Sequence, residues 1–156
     1  MNTVGKHNHG KPNPTLADLA VLEGEWIIEL SNTTFLPTPQ SRAQGRVVAE
    51  WLDNTALVMR QFGDEDAATW IVGRDQAEPE YTVLYCDSRG SSRVYRMTFT
   101  DGDWHMWRTT TQFTQRFRGR VSADGNTITG EWEDSHDDGT TWARDFTLEY
   151  RRAPGR

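Results

Sequence analysis

Tyr95-Arg96-Met97-Thr98-Phe99-Thr100-Asp101-Gly102-Asp103-Trp104-His105-Met106-Trp107-Arg108 is the stretch that decides the fold. Two runs rich in aromatic and apolar residues flank Asp101-Gly102, a dipeptide suited to the left-handed backbone of a two-residue hairpin turn. That turn sets the register. Phe99 then opposes Trp104, Met97 opposes Met106 and Tyr95 opposes Arg108 on one face. Thr98 with His105, and Arg96 with Trp107, share the other. The first face is the apolar one and is expected to point inward, which places Arg108 among Tyr95, Met97 and Met106. Arg96 beside Trp107 reads as an outer cation–π pair.

The neighbouring hairpin registers in the same way. With Val121 against Ile128, Phe117 opposes Trp132 inside. Outside, Arg118 faces Glu131 and Arg116 faces Glu133. Arg116, Arg118 and Arg120 therefore read as a cross-strand charge ladder rather than a basic binding stripe. The last hairpin is set with Trp132 against Trp142 and Gly130 against Arg144, with Phe146, Leu148 and Tyr150 continuing the inner face. In the hairpin over 44–62 both faces are mixed, so the directions of Glu50 and Arg60 stay open.

Period-two patterning extends over most of the chain from Gly24 on. Strands are expected over 24–31, 44–52, 55–62, 67–74, 80–87, 92–100, 103–110, 113–121, 127–134 and 140–150. Asp53-Asn54, Asp124-Gly125 and Asp138-Gly139 supply further turns. Short links of this kind join neighbours in an up-and-down meander, and closure into a barrel removes its exposed edges. Leu16 to Leu22 can form a short helical turn before the first strand, with Thr15 as its N-cap. The expected fold is thus all-β: a single up-and-down antiparallel barrel of about ten strands with a short N-terminal helical turn. It spans 16–151, between a disordered arm over 1–15 and a tail over 152–156. The one long connection, Asn32 to Ala43 with Pro37 and Pro39, is placed to cover a mouth of the barrel.

Composition narrows the function. The net charge of −6 argues against nucleic acid, where a basic surface supplies most of the affinity. The chain has one cysteine, Cys86, so it holds no intrachain disulfide and suits a reducing compartment. No run approaches the roughly 18 apolar residues of a membrane span, and Met1 to Thr15 lacks the apolar core of a signal peptide. A cytoplasmic protein with no membrane partner is expected. A homodimer is left open. Seven tryptophans either fill a core or line a cavity.

Leu19-Ala20-Val21-Leu22-Glu23-Gly24-Glu25-Trp26 resembles the opening of calycin-superfamily proteins, in which a helical turn leads into a first strand carrying Gly-x-Trp. Lipocalins, fatty-acid-binding proteins and nitrobindin-like barrels share this plan, and the strand count is closer to the latter two. Tyr85 to Gly90 and Gly130-Glu131-Trp132 are similar in style to short bacterial lipocalin-like proteins without an assigned function. In lipocalins a late basic residue packs across the Gly-x-Trp tryptophan. The resemblance implies that Arg144 or Arg151 does so for Trp26, which would make Arg144 structural rather than ligand-facing. Fatty-acid-binding proteins hold a carboxylate with a late Arg-x-Tyr pair. Here the matching spacing reads Arg144-Asp145-Phe146, so that pair is absent. Nitrobindin-like proteins bind haem through a late histidine. His105 falls on the outer face and His136 in a loop, so haem is disfavoured and no cofactor is expected.

The expected ligand is a small, largely hydrophobic molecule with an anionic end, held in the lumen by a carrier or sensor. The expected lining is Trp51, Met59, Trp70, Tyr85, Tyr95, Met97, Met106, Arg108, Phe117, Trp132, Trp142 and Arg144. An inward arginine must pair with an acid, pack on an aromatic ring or meet an anionic ligand group. Catalysis stays open. A cofactor-independent isomerase, lyase or cyclase in such a barrel would draw on Tyr95, Arg108, Tyr85 and Asp87, with a buried tyrosine or carboxylate as its general acid or base. No metal site is expected. Asp134 to Asp145 mimics a calcium loop poorly, with His136 at the third position and strands on both sides, and His7 and His9 lie in the arm.

Overall fold

The computed structural model describes residues 14–154. His7 and His9, most of the expected arm and the last two residues of the expected tail lie outside them. A 3-10 helix, η1 (Pro14–Leu22), precedes ten strands: β1 (Gly24–Ser31), β2 (Ala43–Leu52), β3 (Ala56–Phe62), β4 (Ala67–Gly73), β5 (Tyr81–Asp87), β6 (Ser92–Thr100), β7 (Asp103–Thr109), β8 (Thr114–Val121), β9 (Thr127–Ser135) and β10 (Ala143–Arg152). Each strand pairs antiparallel with the next, and β1 pairs with β10 to close the barrel. No helix among the described residues is long and apolar enough to cross a membrane.

The hairpin registers follow from turn chemistry. Asp101 and Gly102 both hold positive φ, 52° and 82°, as a type I′ turn requires. Phe99 pairs with Trp104 and Met97 with Met106 as expected. Phe117 pairs with Trp132 and Val121 with Ile128. The outer arginines meet carboxylates: Arg116 and Arg118 both reach Glu133, at 3.1 and 2.9 Å, and Arg120 reaches Asp103 at 2.8 Å. Glu50 and Arg60 form a 3.3 Å ion pair with both side chains exposed. Arg96 sits opposite Trp107, but its guanidinium turns to Glu80 in the loop before β5, so the expected cation–π pair gives way to an ion pair.

The last hairpin departs from expectation. Trp132 pairs with Phe146 and Gly130 with Leu148, and a bulge lies between Arg144 and Phe146. Asp138-Gly139 has left-handed backbone but is not a tight two-residue hairpin. The Asp137 carboxylate instead accepts from the Thr141 amide and hydroxyl, and Ser135 Oγ accepts from the Gly139 amide. That wider loop and the extra residue of the bulge reverse the alternation. Arg144 therefore faces outward, half-exposed, 3.8 Å from Glu131. Trp142 also lies outside, with the Arg116 guanidinium 3.7 Å from its ring centre. Neither lines the lumen. The space beside Gly130 goes to Phe117: a Cβ on Gly130 would stand 2.5 Å from that ring.

One end of the barrel is sealed. Leu16, Leu19 and Leu22 of η1 are fully buried against the strand ends. Trp26 is fully buried and donates from Nε1 to the Leu22 carbonyl at 2.9 Å. The residue across Trp26 is Arg152, rather than Arg144 or Arg151. Its guanidinium lies 3.9 Å from the ring centre and donates to the carbonyls of Val21 and Glu23. β10 runs through Arg152, one residue past the expected barrel end.

Two stability outcomes follow. Arg152→Met keeps apolar volume but removes the donors to the helix end and the cation over the ring. It should cost about 2 kcal/mol, read as a fall in Tm by circular dichroism. Gly130→Ala should cost about 2 kcal/mol, a Tm fall of roughly 5 °C, because the methyl meets Phe117 and the Arg118 carbonyl oxygen.

Candidate functional site

The lumen divides into a filled half and an open half. Trp70 on β4 and Trp132 on β9 come from opposite sides of the ring of strands and meet near its middle, with ring centres 6.1 Å apart and planes 30° apart. Below them lie Met97, Trp104 and Phe117, with the Trp104 Nε1 directed at the Met97 sulfur at 3.3 Å. A void of only about 10 Å³ remains there, beside Val47, Met59 and Val72. Above the pair a cup of about 570 Å³ opens at the end of the barrel away from η1. Its wall is aromatic: Tyr85 lies 4.5 Å and Tyr95 5.4 Å from Trp70, and Phe35 packs edge-on against Phe146 at 5.6 Å. A groove of about 560 Å³ adjoins the mouth between the Phe35-Leu36 segment and Gly63 to Ala67. The long connection over Asn32 to Ala43 thus contributes to the rim through Phe35.

Of the expected lining residues, Trp70, Tyr85, Tyr95, Met106 and Trp132 come together in the cup. Met59, Met97 and Phe117 are buried in the filled half. Trp51 sits near the sealed end, where its Nε1 donates to Glu23 at 3.0 Å. Arg108 is at the rim, half-buried. Its Nε donates to Gln115 Oε1 at 3.0 Å, and its guanidinium lies over the Phe113 and Tyr95 rings at 5.2 and 5.8 Å.

Sequence reasoning missed Arg93, Gln61, Gln115 and Asp134, all of which line the cup. The signal was present. Each has the strand parity of a residue already assigned inward, namely Tyr95, Met59, Phe117 and Trp132.

The acid–base candidates are tied up. The Tyr85 hydroxyl donates to Asp87 at 2.7 Å. Asp87 also accepts from the Arg89 guanidinium at 2.8 Å and from the backbone amides of Arg89 and Ser91. Its side chain is only 4% exposed. Arg89 first, then the Tyr85 hydroxyl, hold Asp87 far below the usual carboxylate range. Burial first, then the Asp87 carboxylate, push Tyr85 up to about 12. Tyr85 is therefore a poor proton donor at neutral pH. The Tyr95 hydroxyl donates to Gln115 Oε1 at 3.2 Å.

Across the mouth, Asp134 and Asp145 line the β9–β10 side. Asp145 accepts from Thr34 Oγ1 at 3.4 Å. Desolvation, then the charge of Asp134, raise its pKa. His105 lies on the outer face opposite Thr98, and His136 is exposed in the β9–β10 loop, so neither reaches the cup. Among the described residues no cluster of three or more His, Cys, Asp or Glu is placed to hold a metal ion.

Asp145 yields a pH-dependent prediction. A carboxyl whose pKa is raised by folding favours the native state while protonated, and that contribution is lost as pH rises through the folded pKa. At neutral pH the native protein carries the cost of the ionised group. Asp145→Asn should raise Tm at pH 7, and the gain should vanish near about pH 3, where both states hold the proton. A gain of equal size at both pH values would mean that charge is not its cause.

No protein-family model and no curated protein matches the sequence. Among solved structures, the barrel superposes on the crystal structure of Rv2717c from M. tuberculosis with a TM-score of 0.67, covering 92% of this chain and 100% of that one. At 11% identity the likeness is one of fold.

Proposed function

We propose that the protein binds a small, largely hydrophobic molecule in the open cup, as a carrier or sensor of the calycin type. The observation that carries this reading is the cup itself: about 570 Å³ with an aromatic wall, closed below by Trp70 and Trp132. That volume falls within the range of about 300–1,000 Å³ common for small-molecule sites. The calycin reading draws support from Gly24-x-Trp26 beneath a helical turn, with Arg152 stacked on the tryptophan. An exposed free thiol at Cys86 suits a reducing, cytoplasmic setting.

An anionic end on the ligand suits the rim. Arg108 makes no ion pair with a carboxylate among the described residues and is held in place by Gln115 and two rings. The first test is native mass spectrometry of protein purified from its own host, against the denatured mass. An extra mass lost on denaturation is expected. Protein that carries no extra mass and takes up none of a panel of apolar fluorescent probes would remove the reading. Arg108→Leu should weaken retention of that molecule about tenfold with an unchanged circular dichroism spectrum, the size of one charge-assisted contact. Unchanged retention would leave Arg108 a purely structural rim residue.

A further inference from the structure

The mouth of the cup is electrically divided. On the β5–β6 side stand Arg89 and Arg93; on the β9–β10 side stand Asp134 and Asp145, and a third acid, Asp66, lines the cup from the β3–β4 turn. β6 and β10 are separated by three strands along the shorter way round the barrel, so the two charges face each other across the opening. The arginines differ in availability. Arg89 is neutralised by Asp87 through two guanidinium contacts, at 2.8 and 3.2 Å. Arg108 stands at the rim outside the cup lining, where its Nε is held by Gln115 and its other donors can meet only a group that reaches past the mouth. Arg93 is half-buried and lines the cup, and its guanidinium carbon lies 5.7 Å from the Tyr85 ring centre with no ion pair to a carboxylate among the described residues. A guanidinium has five N–H donors in a planar fork. Placing it against an aromatic wall without an acid costs solvation free energy that an anion would restore.

The wall chemistry narrows the rest of the ligand. Trp70, Tyr85, Tyr95 and Trp132 form a continuous aromatic surface, with neighbouring ring centres 4.5 to 6.4 Å apart. Such a surface rewards a flat ring system more than a flexible alkyl chain.

Resting on the cup as the binding site, we propose that its ligands are flat aromatic anions, and that Arg93 is the residue that docks their negative group. The ring system lies on the Trp70–Trp132 floor. The anion points to the β6 side because Asp134 and Asp145 repel it from the other.

Two fluorescent probes differ by one anionic group: 1-anilinonaphthalene-8-sulfonate and its neutral parent, N-phenyl-1-naphthylamine. Titration of each into the intact protein should show at least tenfold tighter binding of the sulfonate, with each probe displacing the other. Arg93→Leu should remove most of that preference and leave the neutral probe's affinity unchanged, which also reports that the cup is still formed. Arg93→Lys should restore part of the preference. Arg118→Leu, on the outer face, should change neither probe, which excludes a surface anion site. If both probes bind equally and Arg93→Leu moves neither, the anion assignment is overturned while the cup stands as a binding site. If neither probe binds, the cup reading itself falls.

Discussion

The contact between Arg152 and Trp26 settles which end of the barrel is closed. Trp26 opens β1 and Arg152 closes β10, so their stacking joins the first and last strands where the barrel shuts. The same guanidinium reaches the carbonyls of Val21 and Glu23 at the end of η1, where cations and donors are favoured. The helix is thereby fixed across the mouth, and its three leucines drive into the lumen. Apolar burial is concentrated at that end. The polar and charged side chains that must face inward are left to the other.

Barrels of this strand number have a lumen that side chains can fill, and here they fill half of it. Large aromatics from facing strands meet at the midline, and Trp70 with Trp132 makes a floor. Below it, Gly119 and Gly130 stand directly opposite each other and surrender their side-chain volume to the Phe117 ring. Above it, lining side chains such as Gln61, Arg93, Gln115, Asp134 and Asp145 are polar at their tips, and polar tips do not collapse onto each other as leucines do. Space persists where packing would strand donors and acceptors.

How much of this was legible depends on how local each determinant is. The β6–β7 and β8–β9 registers were readable because a short turn fixes which residues face each other, and one register fixes a whole face. The β9–β10 hairpin was not, because its loop is held by Asp137 and Ser135 side chains and a bulge inserts one residue. Neither leaves a periodic mark. That one residue moved Trp142 and Arg144 from the expected lining to the outer surface. The basic residue over Trp26 was expected from resemblance, but its position, Arg152, depends on where β10 ends. The floor could not be read at all. Trp70 and Trp132 are 62 positions apart and on opposite strands of the closed ring, so only closure brings them together.

The distribution of imperfect interactions carries the last argument. On the outside, arginines find carboxylates: Arg116 and Arg118 at Glu133, Arg120 at Asp103, Arg96 at Glu80. Local rules are satisfied there. At the mouth they are not. Asp145 is desolvated beside another acid, and Arg93 faces an aromatic wall without a counter-ion among the described residues. The two are of opposite charge and a mutual contact would relieve both, yet three strands hold them apart. A sequence selected for stability alone would close that gap or replace both residues with apolar ones. Keeping them separated around an open cup makes sense when a third molecule completes the pairing.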